Sequence, residues 1–352
     1  MAGLRASRAL CGFPQTIIGD YDALPAPNGA AEKPLYVVRG GEQVYAPPIM
    51  VENCRYYAYV LEADANALQA LCDRELNGPS QGNLRYVPLV SRVILGFADL
   101  AKGYCLGQDR HVGWMPEIDV AFWVPLARVR RVAGIDFIER IVWYMPYVFV
   151  DTPLAVAAGR EIWGFHKQMA SFQVPKSPTD RAQLVVEGLA IPHYNPDREV
   201  TRHRILEVLR TDAPHVGEIE KAWQGAEEGL RDFLGVFLDG GKIRLPGLGL
   251  LAEAADFIAH HDVPIVFLKQ FRDVHDGARA CYQAIIEANA QMTKFRSGGW
   301  LPGEYQVNIT PLESHPIARD LGLAGDQLKP LAAIYVDYDF RMNEGKEVWR
   351  AG

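Results

Sequence analysis

Three apolar stretches follow one another with no helical pattern between them: "YVPLVSRVILGFADL" at 86–100, "EIDVAFWVPLARV" at 117–129 and "RIVWYMPYVFV" at 140–150. β-Branched and aromatic residues dominate them, as strands prefer. Parallel neighbours would need a crossover of a dozen or more residues, usually a helix, between each pair. Many strands with few helices between consecutive ones predict an α+β class, not a regular βαβ repeat. A curled antiparallel sheet or a small barrel is the arrangement that buries this many strands.

The same pattern extends both ways. "CRYYAYVLEAD" reads as an earlier strand, and "ADANALQALCDREL" as a helix with Asp64 at its N-cap. "TPLAVAAGREIWG" predicts a short helix, with Thr152 as N-cap, Pro153 in the first turn and Gly164 at the end. "KQMASFQVPK", "AQLVVEGLAIPHY", "PIVFLKQFRDV", "EYQVNITPLE" and "AAIYVDYDFRM" read as strands. "DGARACYQAIIEANAQMTKF" starts as a turn or short helix and then becomes strand. Residues 201–262 read as a helical insert, because "HRILEVLR", "EIEKAWQGAEEGLRDFLGVFLDG" and "LGLLAEAADFIAH" carry helical spacing. Residues 1–45 read as a Gly/Pro/Ala-rich N-terminal arm, with one strand in "PLYVVRGGEQVYAPP", and 46–352 as a single domain.

Composition narrows the function. The formal net charge is −7, from 43 acidic and 36 basic residues. Nothing in that balance draws a nucleic acid backbone. No apolar run approaches the ~20 residues of a membrane-spanning helix. Cys11, Cys54, Cys72, Cys105 and Cys281 are scattered and form no CxxC pair, which argues against a disulfide framework or zinc site and for a reducing cytosol. No GxGxxG follows a strand, there is no P-loop, and no GxSxG is present. Adjacent His260 and His261 point in different directions on a helix and make a poor metal pair.

The chemically distinctive stretch is "GREIWGFHKQMASF", residues 159–172. In an extended chain Phe165, Lys167 and Met169 share one face, and His166 and Gln168 the other. Lys167 would then lie among apolar side chains. Burial disfavours an ammonium and frees the amine as a nucleophile.

"AVAAGREIWGFHKQMA" resembles the acetoacetate decarboxylase family, whose GRE helix leads into an aromatic–Pro–Lys–Lys step. Lys167 falls on the lysine that forms a Schiff base, the family that the general account of such activated lysines takes as its example. Phe165 falls on the aromatic residue before it, and Gly159 and Glu161 on the helix. "CRYYAYVLEADANALQAL" resembles the family's early strand and helix. "MPEIDVAFWVPL" places Glu117 on an active-site glutamate. "VFLKQFRDV" and "ACYQAIIE" are weaker matches. The likeness covers roughly residues 46–340, apart from much of the insert.

The resemblance implies a curved antiparallel β-sheet or barrel of the acetoacetate decarboxylase-like type, with peripheral helices. It implies a Schiff-base lysine enzyme acting on a small keto acid. Lys167 and Glu117 would be catalytic. Arg55 would orient a carboxylate, and Trp163, Phe165, Met169, Gln168 and His166 would contact substrate. No external cofactor is implied, since the imine is the electron sink. A cytoplasmic homo-oligomer without nucleic-acid or membrane partners is expected. Two departures stand out: His166 replaces the family's proline, and Gln168 its second lysine. Ile94 stands where a second family glutamate is expected. Decarboxylation, aldolase–dehydratase chemistry on pyruvate-like substrates, and binding without turnover all stay open.

Overall fold

A computed structural model describes residues 35–39, 45–132, 135–178, 180, 183–212, 221–238 and 262–352. The chain divides into two compact units, residues 1–42 and 43–352. In the first, residues 35–39 are exposed and form no strand. A strand needs a neighbouring edge to take its hydrogen bonds.

The second unit holds the strands β1 (Ile49–Glu62), β2 (Tyr86–Pro88), β3 (Arg92–Cys105), β4 (Met115–Val132), β5 (Ile135–Val150), β6 (Lys167–Gln173), β7 (Leu184–Ala190), β8 (Thr201–Arg210), β9 (Lys221–Ala222), β10 (Asp262–Arg272), β11 (Ala280–Trp300), β12 (Tyr305–Ile309), β13 (Gln327–Leu328), β14 (Ala332–Met342) and β15 (Lys346–Arg350). Its helices are α1 (Ala65–Cys72), α2 (Pro153–Ala158), α3 (Ala226–Leu238) and α4 (Ile317–Leu321). The class is α+β, and the sheet is mixed.

The strand order closes on itself. β5, β10, β11, β14, β1, β3 and β4 are neighbours in that order, and β4 pairs again with β5. The result is a seven-stranded barrel. Every pairing around it is antiparallel except β5 with β10. That parallel seam is short: Trp143 registers with Ile265, and Tyr144 with Val266. Further along the same edge β5 pairs in parallel with β6, where Val148 meets Lys167 and Val150 meets Met169. β6 then leads the chain away into β7, β8, β12 and β13.

Period-two alternation sorts the side chains. On β14, Ile334, Val336, Tyr338, Phe340 and Met342 face the lumen. The main core lies on the outer face, where Tyr57, Tyr59, Leu95, Phe97, Val120 and Phe122 pack against α1 and the β7–β8–β12 layer. At the Val51/Cys54 bulge of β1, Asn53 has φ 58°, a conformation asparagine tolerates better than most residues.

Several elements match the sequence. Asp64 caps α1 by accepting from the backbone N–H groups of Asn66 and Ala67. Pro153 opens α2, and Thr152 holds the N-cap position without a side-chain capping bond. The segment "HRILEVLR" is not helical: it is β8, held between β7 and β12. So short an apolar run fits either period, and the two flanking strands decide it. The helix expected in "EIEKAWQGAEEGLRDFLGVFLDG" begins only at Ala226, as α3, because Lys221–Ala222 pairs with β11 as β9. "LGLLAEAADFIAH", His260, His261 and residues 1–34 lie outside the described residues.

The segment before β6 is tightly specified. Residues Gly159–Trp163 widen from α-helix into a π-helical turn. The N–H groups of Gly164 and Phe165 both donate to the Gly159 carbonyl, at 2.9 and 3.0 Å. Gly164 has φ 97°, and a Cβ there would lie 2.6 Å from Lys269 Cα on β10. Gly164→Ala is expected to cost about 1–3 kcal/mol from the backbone conformation alone. Urea unfolding with an unchanged midpoint would contradict this.

Candidate active site

The lumen encloses a cavity of about 280 Å³, and all seven barrel strands contribute to its wall. Lys167 enters it at the seam where β5 exchanges β10 for β6. Its stem passes over Gly159, where a Cβ would lie 2.7 Å from Lys167 Cδ. A side chain at 159 would therefore displace the lysine, which gives the glycine of "GRE" a direct physical role.

Lys167 Nζ donates to Glu117 Oε1 at 2.5 Å and lies 3.6 Å from Asp119 Oδ2. Lys167 and Glu117 are both buried. The two carboxylates are two residues apart on β4, so strand alternation points both into the lumen. The Phe165 ring centroid is 5.2 Å from Lys167 Nζ, close enough for a cation–π contact. Phe165 in turn packs on Trp163 and on Phe267, whose ring centroids are 6.0 and 4.3 Å away. Trp163 Nε1 donates to the Asn343 carbonyl at 2.9 Å. Tyr56 also lines the cavity, and its hydroxyl fills the space a Gly96 side chain would need.

The electrostatics reverse one expectation. Burial pulls the Lys167 pKa down, but Glu117 and then Asp119 outweigh it, and the net shift is upward. The amine rests as an ammonium. Burial raises Asp119 to about 7; the Lys167 cation opposes that rise and Glu117 adds to it. The cluster thus holds an ammonium on Lys167 and, on Asp119, a carboxyl group that titrates near neutrality.

Four sequence candidates line this cavity: Lys167, Glu117, Phe165 and Trp163. Arg55 does not. It alternates with lumen-facing Tyr56, pairs with Asp99 on the outside and donates to the Lys176 carbonyl. Met169 still pairs with Val150 of β5, but it does not line the cavity and its side chain is exposed. Gln168 faces the other way, and its Oε1 accepts from His315 Nε2 at 2.7 Å. His166 is exposed and outside the cavity wall. Both follow from the period of two that places Lys167 inside. Asp119 was missed, although its signal lay in "EID": a residue two beyond Glu117 on a strand must share its face. Among the described residues no group of three His, Cys, Asp or Glu side chains could hold a metal ion.

Residues 33–191 match the model of the acetoacetate decarboxylase (ADC) family. No curated protein sequence matches the chain. The acetoacetate decarboxylase of Legionella pneumophila subsp. pneumophila str. Philadelphia 1 is similar in structure, with TM-score 0.55 and 15% identity, covering 91% of this chain and 93% of that one. A second acetoacetate decarboxylase structure gives 0.52 and 14%, covering 87% and 91%. The enduracididine biosynthesis enzyme MppR, complexed with the condensation product of pyruvate and imidazole 4-carboxaldehyde, gives 0.52 and 13%, covering 92% and 98%. Residues 33–191 thus carry the sequence pattern of that family, and the chain shares the fold of these acetoacetate decarboxylase-like structures.

The geometry predicts that Glu117→Gln moves the Lys167 titration to lower pH. The check is the pH dependence of Lys167 acylation, read by peptide mass spectrometry. An unmoved midpoint would mean that Glu117 does not hold the ammonium.

Proposed function

We propose that this protein is a Schiff-base lyase in which Lys167 condenses with the keto group of a keto acid, and that loss of CO₂ follows. The carrying observation is a buried amine placed 2.5 Å from one carboxylate and 3.6 Å from another inside a barrel lumen. An ammonium cannot attack a carbonyl, so Nζ must first hand a proton to its neighbours. Asp119, titrating near 7, suits that exchange at neutral pH. The neutral amine adds to the carbonyl carbon. The carbinolamine then loses water, with a carboxyl group supplying the proton to the leaving oxygen. The balance is one ammonium and one ketone giving one iminium and one water. A 3-keto acid carboxylate then releases CO₂, and its electron pair moves into the iminium as an enamine. Protonation at carbon and hydrolysis return the ketone and the lysine. Glu117 and Asp119 both lie where they can carry these protons.

Asp119 also supports a second reading, aldol addition and dehydration. A second carboxylate beside the imine can take a proton from the α-carbon, where decarboxylation needs none removed. The likeness to MppR is in keeping with that route. Substrate profile separates the two: CO₂ release from a 3-keto acid against condensation of pyruvate with an aldehyde. Binding without turnover is the third outcome.

Incubation with keto acids and borohydride is expected to give a covalent adduct by intact mass, lost in Lys167→Met. Binding with no adduct from any keto acid would sink both catalytic readings. The trapping rate is expected to rise as pH passes about 7, where Asp119 becomes the base. Asp119→Asn should remove that inflection, and its persistence would assign it to another group.

A further inference from the structure

The cavity wall is charged only around Lys167. Glu117, Asp119 and Lys167 supply every ionisable acid or cation among the described lining residues, and no arginine is among them. Beyond them the wall is hydrocarbon and aromatic. It joins the apolar cluster around Trp163, Phe165 and Ile265 to a second around Trp223, Phe233 and Ile334. A small keto acid needs little room and offers such a wall little apolar surface to bury. An apolar cavity of about 150 Å³ accommodates a benzene molecule, and this one measures about 280 Å³.

The second cluster is covered by α3. Ala226, Gly229, Leu230 and Phe233 line the cavity, at the i, i+3, i+4, i+7 spacing of one helix face. The helix is anchored to the barrel. Asp232 accepts from Lys221 Nζ, Trp223 Nε1 and Trp300 Nε1 at 2.7, 3.0 and 3.3 Å. The Trp223 indole is seated between Gly229 of α3 and Gly298 of β11, where a Cβ would approach Cε3 to 2.6 and 2.9 Å. The apolar end of the cavity is thus a built wall with a defined floor.

We infer that the site takes a keto compound whose carbonyl carbon bears an alkyl chain of several carbons or an aryl ring, with that apolar body lying along the lumen beneath α3. Under the decarboxylase reading this is a 3-keto acid with such a group in place of a methyl. The inference rests on the imine reading only for the carbonyl's position; the apolar body is selected by the wall. Leu230 and Phe233 are then the residues that set how long a body fits.

The test uses the full chain and straight-chain 2-alkanones from acetone to 2-nonanone, with acetophenone as the aryl probe. Binding is measured by calorimetry on the native protein and on Lys167→Met, and imine formation by borohydride trapping. Each buried methylene should tighten binding about fourfold in both proteins, with an adduct only in the native one. Affinity flat with chain length, or acetone bound as well as 2-heptanone, overturns the inference whether or not an adduct forms. A chain-length series without any adduct overturns the imine and leaves the apolar selection standing. Leu230→Trp should move the best chain to shorter lengths and Leu230→Ala to longer ones. Opposite shifts cannot come from misfolding, and no shift in either variant removes α3 from the specificity argument.

Discussion

Closure of the β4–β5 edge is the constraint from which the rest follows. Once those strands pair, the seven neighbours from β5 round to β4 have no free edge, and every strand must choose one face for the lumen. That choice is made residue by residue through the period of two. It sends Tyr57, Phe97 and Phe122 outward into the main core, and Tyr56, Gly96, Ala98 and Asp119 inward. On β3 the inward Gly96 leaves room for the Tyr56 hydroxyl, and Ala98 lines the cavity. Large outward residues supply the burial that stabilises the fold. A single side chain of each strand therefore cannot be moved between core and site without slipping the whole strand.

Into that lumen the chain places three ionisable groups that water would otherwise solvate. An isolated buried ammonium would be driven neutral, and so would an isolated carboxylate. Together they keep a charged pair, Lys167 with Glu117, and push the surplus onto Asp119, which then titrates near 7. The cost of burial is thus converted into one group poised to exchange a proton at neutral pH. Removing either member of a buried pair costs about 3–5 kcal/mol, so the site and the stability of the barrel are tied together. The same holds for "GREIWG". Gly159 makes room for the lysine stem, and Gly164 turns the chain against β10.

The sequence carried much of this, and its gaps have physical causes. Strand alternation in "FHKQM" put Phe165 and Lys167 on one face, because a period of two is a local property, while Glu117 came from the likeness of "MPEIDVAFWVPL". The alternation also contained Asp119 and the outward turn of Gln168 and His166. Arg55 was placed in the site by likeness, although its own strand alternates it away from Tyr56. Met169 obeys the alternation and still reaches solvent, because the extent of the cavity wall depends on pairings between distant strands. "HRILEVLR" looked helical because eight residues cannot separate the two periods, and only β7 and β12 resolve it. The closure of β4 on β5 is a long-range fact that no window of sequence holds.

The departure at Gln168 now has a specific meaning. A second cation beside the lysine would lower its pKa by repulsion. Here the residue after Lys167 turns out of the lumen to His315, and the groups that do face Nζ are carboxylates. They raise the amine's pKa instead of lowering it. Under the proposed imine chemistry, nucleophilicity comes from a proton passed within the cluster when a carbonyl arrives, not from an amine standing neutral in the free protein. An apolar body filling the lumen favours that transfer. By excluding water it leaves the carboxylates as the nearest proton acceptors, and it penalises the charged amine and carboxylate relative to the neutral pair that the transfer makes. On the proposed reading, the hydrocarbon wall beneath α3 and the carboxylates around Lys167 act together, occupancy of the first preparing the chemistry of the second.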